Sequence, residues 1–562
     1  MSLFHCLLKR TSFTILFAAL VSLFILNSCG GGAAAIAGVG SGGTGVGSGT
    51  IVQGLVTGFG SIFIDGTEYV VGSNTQVKEQ FDGSSQTGLF SLGQVVTATI
   101  DNTNTVVSAE ISPDLQGVIT YKPVGFATGT NGTCLTTTDY YVYVLNQKVR
   151  IVTQACNTPL GVTTIFNEPY ALCTASNNCS TTSINGLPSY VGGLVSGSEV
   201  KVHGFWIINP LNNLPELVAT RIDQYYIPST ASGVYNAQAI GINQNLSANV
   251  YELSGIVTSI TSSNIAINGG NGTNGNNGGS LVTAASLPTS LSVNQVVSMN
   301  VNKTDWFNYF GNTYDTSITP TTILPVNALT INSATSFTST ANPNLQVSGI
   351  ISYLNGNIAT VNGTQVVLPT TCSNCAVGDY IRVKGTGTNS QGELESSNIE
   401  YSANSQITLK GVLVFPTITS NTATVVFQGT SVFVPSTVMS SNCVSNSSQY
   451  VVVTANYAAG SLLTANSISC TSVTTTNLQN SAVDYVGSTS NYSSNSSQFT
   501  LNVNGTVYTV NYNSNTYIEK DLNSASPTTQ YIEVVGQVTG TNTISASALK
   551  VAENNSPRSN SD

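Results

Sequence analysis

Three short patterns recur in the same order six times along this chain, and that repetition restricts its fold more than any other feature. The first is an apolar strand with an early glycine: Gly54-Leu-Val, Gly117-Val-Ile, Gly255-Ile-Val, Gly349-Ile-Ile and Gly411-Val-Leu, with a weaker copy at Gly487. A hairpin turn follows, marked by Asp65-Gly66, Asn268-Gly269, Asn362-Gly363, Gln428-Gly429 and Asn504-Gly505, with Asn146-Gln147 in this place in the second unit. Asn-Gly and Asp-Gly suit type I′ turns, whose central residues both need φ > 0, so each predicts two antiparallel strands.

The second pattern is a polar step into an alternating strand, as in Gly93-Gln-Val-Val, Gly197-Ser-Glu-Val, Asn294-Gln-Val-Val, Gly378-Asp-Tyr-Ile, Ser448-Gln-Tyr-Val and Thr529-Gln-Tyr-Ile. Period two indicates a strand with one buried face. The third places a small residue three positions before an apolar one: Ser108/Ile111, Ala219/Ile222, Ala328/Ile331, Ser396/Ile399, Ala465/Ile468 and Ala546/Leu549. The resulting units are 51–112, 115–226, 252–335, 345–402, 408–471 and 482–552, with 553–562 a disordered tail. An antiparallel sheet this small protects its edges by curling into a barrel, and an early glycine tolerates the bend that a shared first strand needs. The expected fold is all-β: a tandem array of about six small antiparallel barrels of oligonucleotide/oligosaccharide-binding type. A set of β-sandwiches is the alternative.

Composition agrees with strands and turns. Charged residues make up 7% of the 562, against about a quarter in an ordinary soluble domain, while Gly, Asn, Ser and Thr are abundant. Residues 1–28 read as a lipoprotein signal peptide: Lys9 and Arg10 precede an apolar run from Phe13 to Leu26, which is too short to span a bilayer. The run ends in Leu26-Asn27-Ser28-Cys29, a lipobox pattern that predicts lipid attachment at Cys29, with a Gly-rich tether over 29–50. Gly30 after that cysteine resembles an outer-membrane sorting signal, so the expected location is the outer membrane, facing the periplasm or the outside. Loss of Lys9 and Arg10 takes the formal charge from −10 to −12, which repels phosphate.

Eight further cysteines, Cys134, Cys156, Cys173, Cys179, Cys372, Cys375, Cys443 and Cys470, fall four, two and two into the second, fourth and fifth units. An even number in an exported chain predicts local disulfides. The C-x-x-C of Cys372 and Cys375 sits in a loop before a strand, with no second pair nearby to complete a zinc site.

The first unit carries Gly54-Leu-Val-Thr-Gly-Phe-Gly-Ser-Ile-Phe-Ile-Asp-Gly66 and then Leu92-Gly-Gln-Val-Val. It resembles the bacterial domain of unknown function family 5666, which occurs as tandem repeats in exported proteins. The resemblance is close over 51–112, and the other units lack the Gly-Phe-Gly-Ser-Ile segment. It implies a small β-barrel and no assigned activity or catalytic residue.

The chain has two histidines, His5 in the signal segment and His203. This excludes multi-histidine metal sites in the exported part, and no metal or cofactor is expected. His203, out of phase with Val200 and Val202, is expected at the surface. The dense aromatic stretch around Trp306, Tyr309 and Tyr314 is the possible ligand platform, since flat apolar faces suit sugar rings. The Gly-rich run 269–279 reads as a hairpin tip, and Asp101-Asn-Thr-Asn104 lacks the ligand pattern of a calcium loop. These features favour a non-enzymatic, membrane-anchored spacer or binding module. Its expected partners are the membrane, through lipid, and a glycan or another envelope protein, with nucleic acid left out. The alternative is an exported hydrolase acting on polymers, although no acidic pair singles itself out in the sequence.

Overall fold

A computed structural model describes residues 50–551, with internal gaps of which the longest are 128–137, 167–182, 228–237, 240–248, 270–278, 305–323, 334–343 and 474–481. The chain is all-β, and its strands group into six small barrels.

The first barrel sets the pattern. Its first strand, Thr50–Phe59, pairs antiparallel with Ile62–Ile64 along its far half and with Val95–Ile100 along its near half. Ile62–Ile64 pairs with Thr67–Phe81, which runs parallel to the last strand, Thr105–Ile111, and that strand pairs with Val95–Ile100. The ring order is therefore first, second, third, fifth, fourth and back to first, a closed small barrel as expected from the repeats. The same circuit is complete in the second, third, fourth and sixth barrels, whose first strands are Leu115–Ala127, Val250–Ile260, Asn344–Asn355 and Ala482–Thr489.

Each sequence pattern has a structural cause. The early glycine passes under the hairpin turn: a Cβ at Gly54 would lie 2.0 Å from the Asp65 carboxylate, and one at Gly255 would lie 2.3 Å from the Asn268 amide. Two residues later the strand bulges, at Val56, Ile119, Val257 and Ile351, and changes partner from the fourth strand to the second. The turns have positive φ at Asp65 and Gly66, Asn268 and Gly269, and Asn362 and Gly363. In the second barrel the positive φ values fall on Leu145 and Asn146, so the turn lies one residue earlier than Asn146-Gln147. The small residue of the third pattern adjoins a bulge in the last strand of every unit.

The fifth barrel differs. Among the described residues its first strand, Gln406–Val414, has no ladder with its second, Ala423–Phe427. The edge left over is taken by neighbours: Gly58 and Phe59 pair parallel with Thr408 and Leu409, and Val483 of the sixth barrel pairs with Val412. An unpaired strand edge is thereby covered within the molecule. The contact uses the Gly-Phe-Gly segment that only the first unit possesses. A Cβ at Gly58 would lie 2.0 Å from the Thr408 carbonyl oxygen, and one at Gly60, where φ is +110°, would lie 2.0 Å from that of Lys410.

The barrels do not form a simple string. Thr50–Gln53 also pairs parallel with Asn344–Val347, so the first barrel touches the fourth and fifth directly. One continuous apolar cluster includes Val56, Phe59 and Ile62 of the first barrel with Leu409, Phe415 and Val451 of the fifth, and another joins the second and third. Cys443 is bonded to Cys470 across 27 residues inside the first of these clusters, and Cys372 to Cys375 in a half-buried loop of the fourth barrel.

Two predictions follow from packing. Gly58→Ala should weaken docking of the first barrel on the fifth by about 1–3 kcal/mol or more. Gly411→Ala, whose nearest foreign atom would lie at 3.4 Å, should change stability little. Differential scanning calorimetry of the two variants checks this, and equal melting would contradict it. With increasing reductant, mass spectrometry of alkylated peptides should find Cys372 and Cys375 modified well before Cys443 and Cys470, which are 5% and 2% exposed.

Candidate functional site

The scarce charges of this chain gather where barrels meet. Lys201 of the second barrel pairs with Glu79 of the first and lies 5.6 Å from the Phe81 ring centre. Lys303 of the third pairs with Glu199 of the second, 5.6 Å from the Tyr251 ring. Lys410 of the fifth pairs with Glu68 of the first, 5.5 Å from the Phe63 ring. Between the first and fourth barrels, the Tyr380 hydroxyl donates to the Asp65 carboxylate and Arg382 to the Asp65 carbonyl. Removing one partner of a buried pair such as Lys201–Glu79 typically costs about 3–5 kcal/mol, which holds the barrels in one arrangement.

One seam lacks this compensation. A narrow crevice lies where the first four barrels approach, lined by Gln53, Thr97, Glu110, Ser112, Asp114 and Trp206 among others. Asp114, in the link between the first two barrels, accepts a hydrogen bond from the Gly204 amide at 2.9 Å. Trp206 is fixed by donation from its indole N–H to the Ser254 hydroxyl at 2.7 Å. Glu252 lies close enough to feel both Asp114 and Glu110. Desolvation raises Asp114 to about 7, and desolvation with repulsion from Asp114 and Glu110 raises Glu252 to about 8. None of the three acids forms an ion pair among the described residues. Nor do these residues contain three or more His, Cys, Asp or Glu side chains grouped to hold a metal ion.

This acid group escaped the sequence reading because Glu110, Asp114 and Glu252 come from different units. The one available signal was Asp114 in the short link between repeats.

His203 corrects an expectation. It is fully buried, not at the surface, and burial drives its pKa down to about 3. Period-two alternation sends it off the barrel's inner face, but that outer face is covered: Thr220 of the adjoining strand donates both to the His203 carbonyl and to that of Gly93 in the first barrel. Asp101 accepts from the Thr103 and Thr105 amides at 2.8 and 2.9 Å, which closes a hairpin turn. Trp306, Tyr309 and Tyr314, Cys29, and Cys134, Cys156, Cys173 and Cys179 lie outside the described residues.

No known family matches the chain, and no curated protein matches it. Two solved structures are similar to it. One is a multidomain protein with nucleic acid binding domains from Streptococcus pneumoniae TIGR4, 11% identical over 36% of this chain and 72% of that one, with a TM-score of 0.11. The other is Drosophila Unr CSD456, 8% identical over 52% of this chain and 97% of that one, with a TM-score of 0.10. The expected set of partners left out nucleic acid, whereas the first of these structures is described as carrying nucleic acid binding domains. Whole-chain charge is also a poor ground for exclusion, since a strand is met by a local groove and by stacking on aromatic faces. The exclusion of nucleic acid is withdrawn.

The shifted groups predict a pH profile. Below about pH 4 the Asp114 and Glu252 carboxyls are protonated folded or unfolded; as pH rises toward 8 the folded chain retains protons that the unfolded chain releases, so stability falls. His203 acts in the opposite sense: its contribution is full above 6.5 and is lost as pH falls toward 3. From 6.5 upward the acids dominate these three, so the melting temperature should drop between about pH 6.5 and 8.5. The Asp114→Asn, Glu252→Gln double variant should flatten that drop, and His203→Gln should leave it in place. A wild-type profile that rises over this interval would refute the assignment.

Proposed function

We propose that this chain is a non-enzymatic, lipid-tethered envelope protein in which six barrels form a rigid spacer. Repetition is the observation that carries the reading, because diverged copies of one small barrel extend a body in a way that a single active site does not require. Strand pairing between first strands and lysine–glutamate pairs across seams make that body stiff. Cys29, in Leu26-Asn27-Ser28-Cys29, supplies the anchor, and placement in the outer membrane and membership of the first unit in the family it resembles belong to the same proposal.

An exported hydrolase is the second reading. The acids at the four-barrel crevice favour it, since a carboxyl held protonated near neutral pH is what a general acid requires.

Cys29→Ala should move the protein from the membrane fraction to the soluble envelope fraction and abolish labelling by palmitate. Membrane attachment of that variant, together with an unlabelled wild type, would refute the anchor. Turnover of a polymer by the purified protein, lost in Asp114→Asn, would replace the spacer with the hydrolase.

A further inference from the structure

The four-barrel crevice is built more like a binding site than like a seam. Gln53, Thr97 and Glu110 stand side by side on three adjacent strands of the first barrel, Gln53 opposite Thr97 and Thr97 opposite Glu110. Val96 and Ala98, on either side of Thr97, are buried in the apolar core, so this polar row lies on the barrel's outer face. Gln53 accepts from Thr364 of the fourth barrel and Glu110 from Gln80, but the Thr97 hydroxyl between them is covered without being satisfied. Thr97 is 7% exposed, and its hydroxyl has no hydrogen-bond partner, nor has that of Ser112 beside it in the crevice. A buried polar group left in this condition is costly, so two unpartnered hydroxyls beside two carboxyl groups that have hydrogen bonds but no ion pair form an unfilled demand.

The demand has a definite chemistry. The oxygens of Glu110, Asp114, Thr97 and Ser112 accept hydrogen bonds and favour positive charge. A bare metal ion answers it poorly, because the described residues contain no group of three or more His, Cys, Asp or Glu side chains to ligate one. A primary ammonium answers it better, since it carries charge and three donors that reach acceptors spread around it. Asn362 of the fourth barrel adds a further condition. It lines the same crevice, and its side-chain nitrogen has no acceptor. A hydroxyl adjacent to the ammonium would provide one.

We propose that this crevice binds a small amino alcohol, with its ammonium among Glu110, Asp114 and the Thr97 hydroxyl and its own hydroxyl accepting from Asn362. Entry of the cation favours ionised carboxylates, so binding near neutral pH releases protons from the acid group. The site joins residues of several barrels, and its ligand therefore also ties those barrels together. This inference is independent of the spacer reading and of any turnover.

Isothermal titration calorimetry of the purified full chain with 2-aminoethanol tests it, with ethylene glycol as the neutral isostere, at about pH 7 in two buffers of different ionisation enthalpy. The expected result is saturable binding of the amine with proton release and no binding of the glycol. Asp114→Asn should lower affinity about tenfold or more and reduce proton release, and the isosteric Thr97→Val should lower affinity by about threefold or more, both with a wild-type or higher melting temperature. Equal binding of glycol and amine, absence of saturable binding, or unchanged affinity in both variants would overturn the proposal.

Discussion

The Val56 amide donates to the Gln94 carbonyl at 2.9 Å, and the Val56 carbonyl accepts from the Gly93 amide at 3.0 Å. This two-bond clamp recurs at Ile119 with Ser198 and Gly197, at Val257 with Gln295 and Asn294, at Ile351 with Asp379 and Gly378, and at Phe415 with Ser447 and Asn446. In every case the residue that donates to the clamped carbonyl has positive φ, between 56° at Asn446 and 99° at Gly378. In the first four barrels the clamp lies where the first strand leaves the fourth strand for the second, so one strand serves two sides of the barrel. In those four barrels it helps close a sheet that would otherwise show two bare edges. The glycine before the bulge, the polar step and the alternating strand after that step are the parts of this one device.

A chain with so few charges cannot distribute them over its surface, and it places many of its lysines and arginines at contacts. Lys201, Lys303 and Lys410 each cross from one barrel to a glutamate of another, beside an aromatic ring. Desolvation makes such pairs poor sources of net stability, but it makes any other arrangement worse, because a mismatched docking would bury an unpaired charge. The seams thus select one assembly from the many that six similar barrels could form. Against that background the acids of the four-barrel crevice are an exception, and chemistry is most readily placed at such an exception.

The legibility of the candidate site was poor for a physical reason. Local sequence reports periodicity, turns and spacing along one segment, whereas Glu110, Asp114 and Glu252 converge because the third barrel's first strand pairs with the second's at Glu252 and Gln116, beside the link that carries Asp114. His203 shows the same limit from the other side: alternation identified its face correctly as the outer one, yet an outer face in a packed array is not a surface. The second turn moved by one residue, to Leu145-Asn146, because the clamp and the bulge, not the best turn-forming dipeptide, fix the hairpin register there.

What the sequence determined by itself is the repeat: the all-β class and a tandem array of about six small barrels, written in glycines, positive-φ turn residues and period-two strands that act within about a hundred residues. It also contained the Gly58-Phe59-Gly60 segment without disclosing its use. Only the tertiary structure decided that this segment docks on the open edge of the fifth barrel, that lysine–glutamate pairs lock the seams, and that one seam is left polar and uncompensated. Closure of a barrel depends on neighbours in sequence, which a single chain displays. Docking of barrels depends on which outer faces meet across hundreds of residues, and that is set by shape and desolvation once the barrels exist.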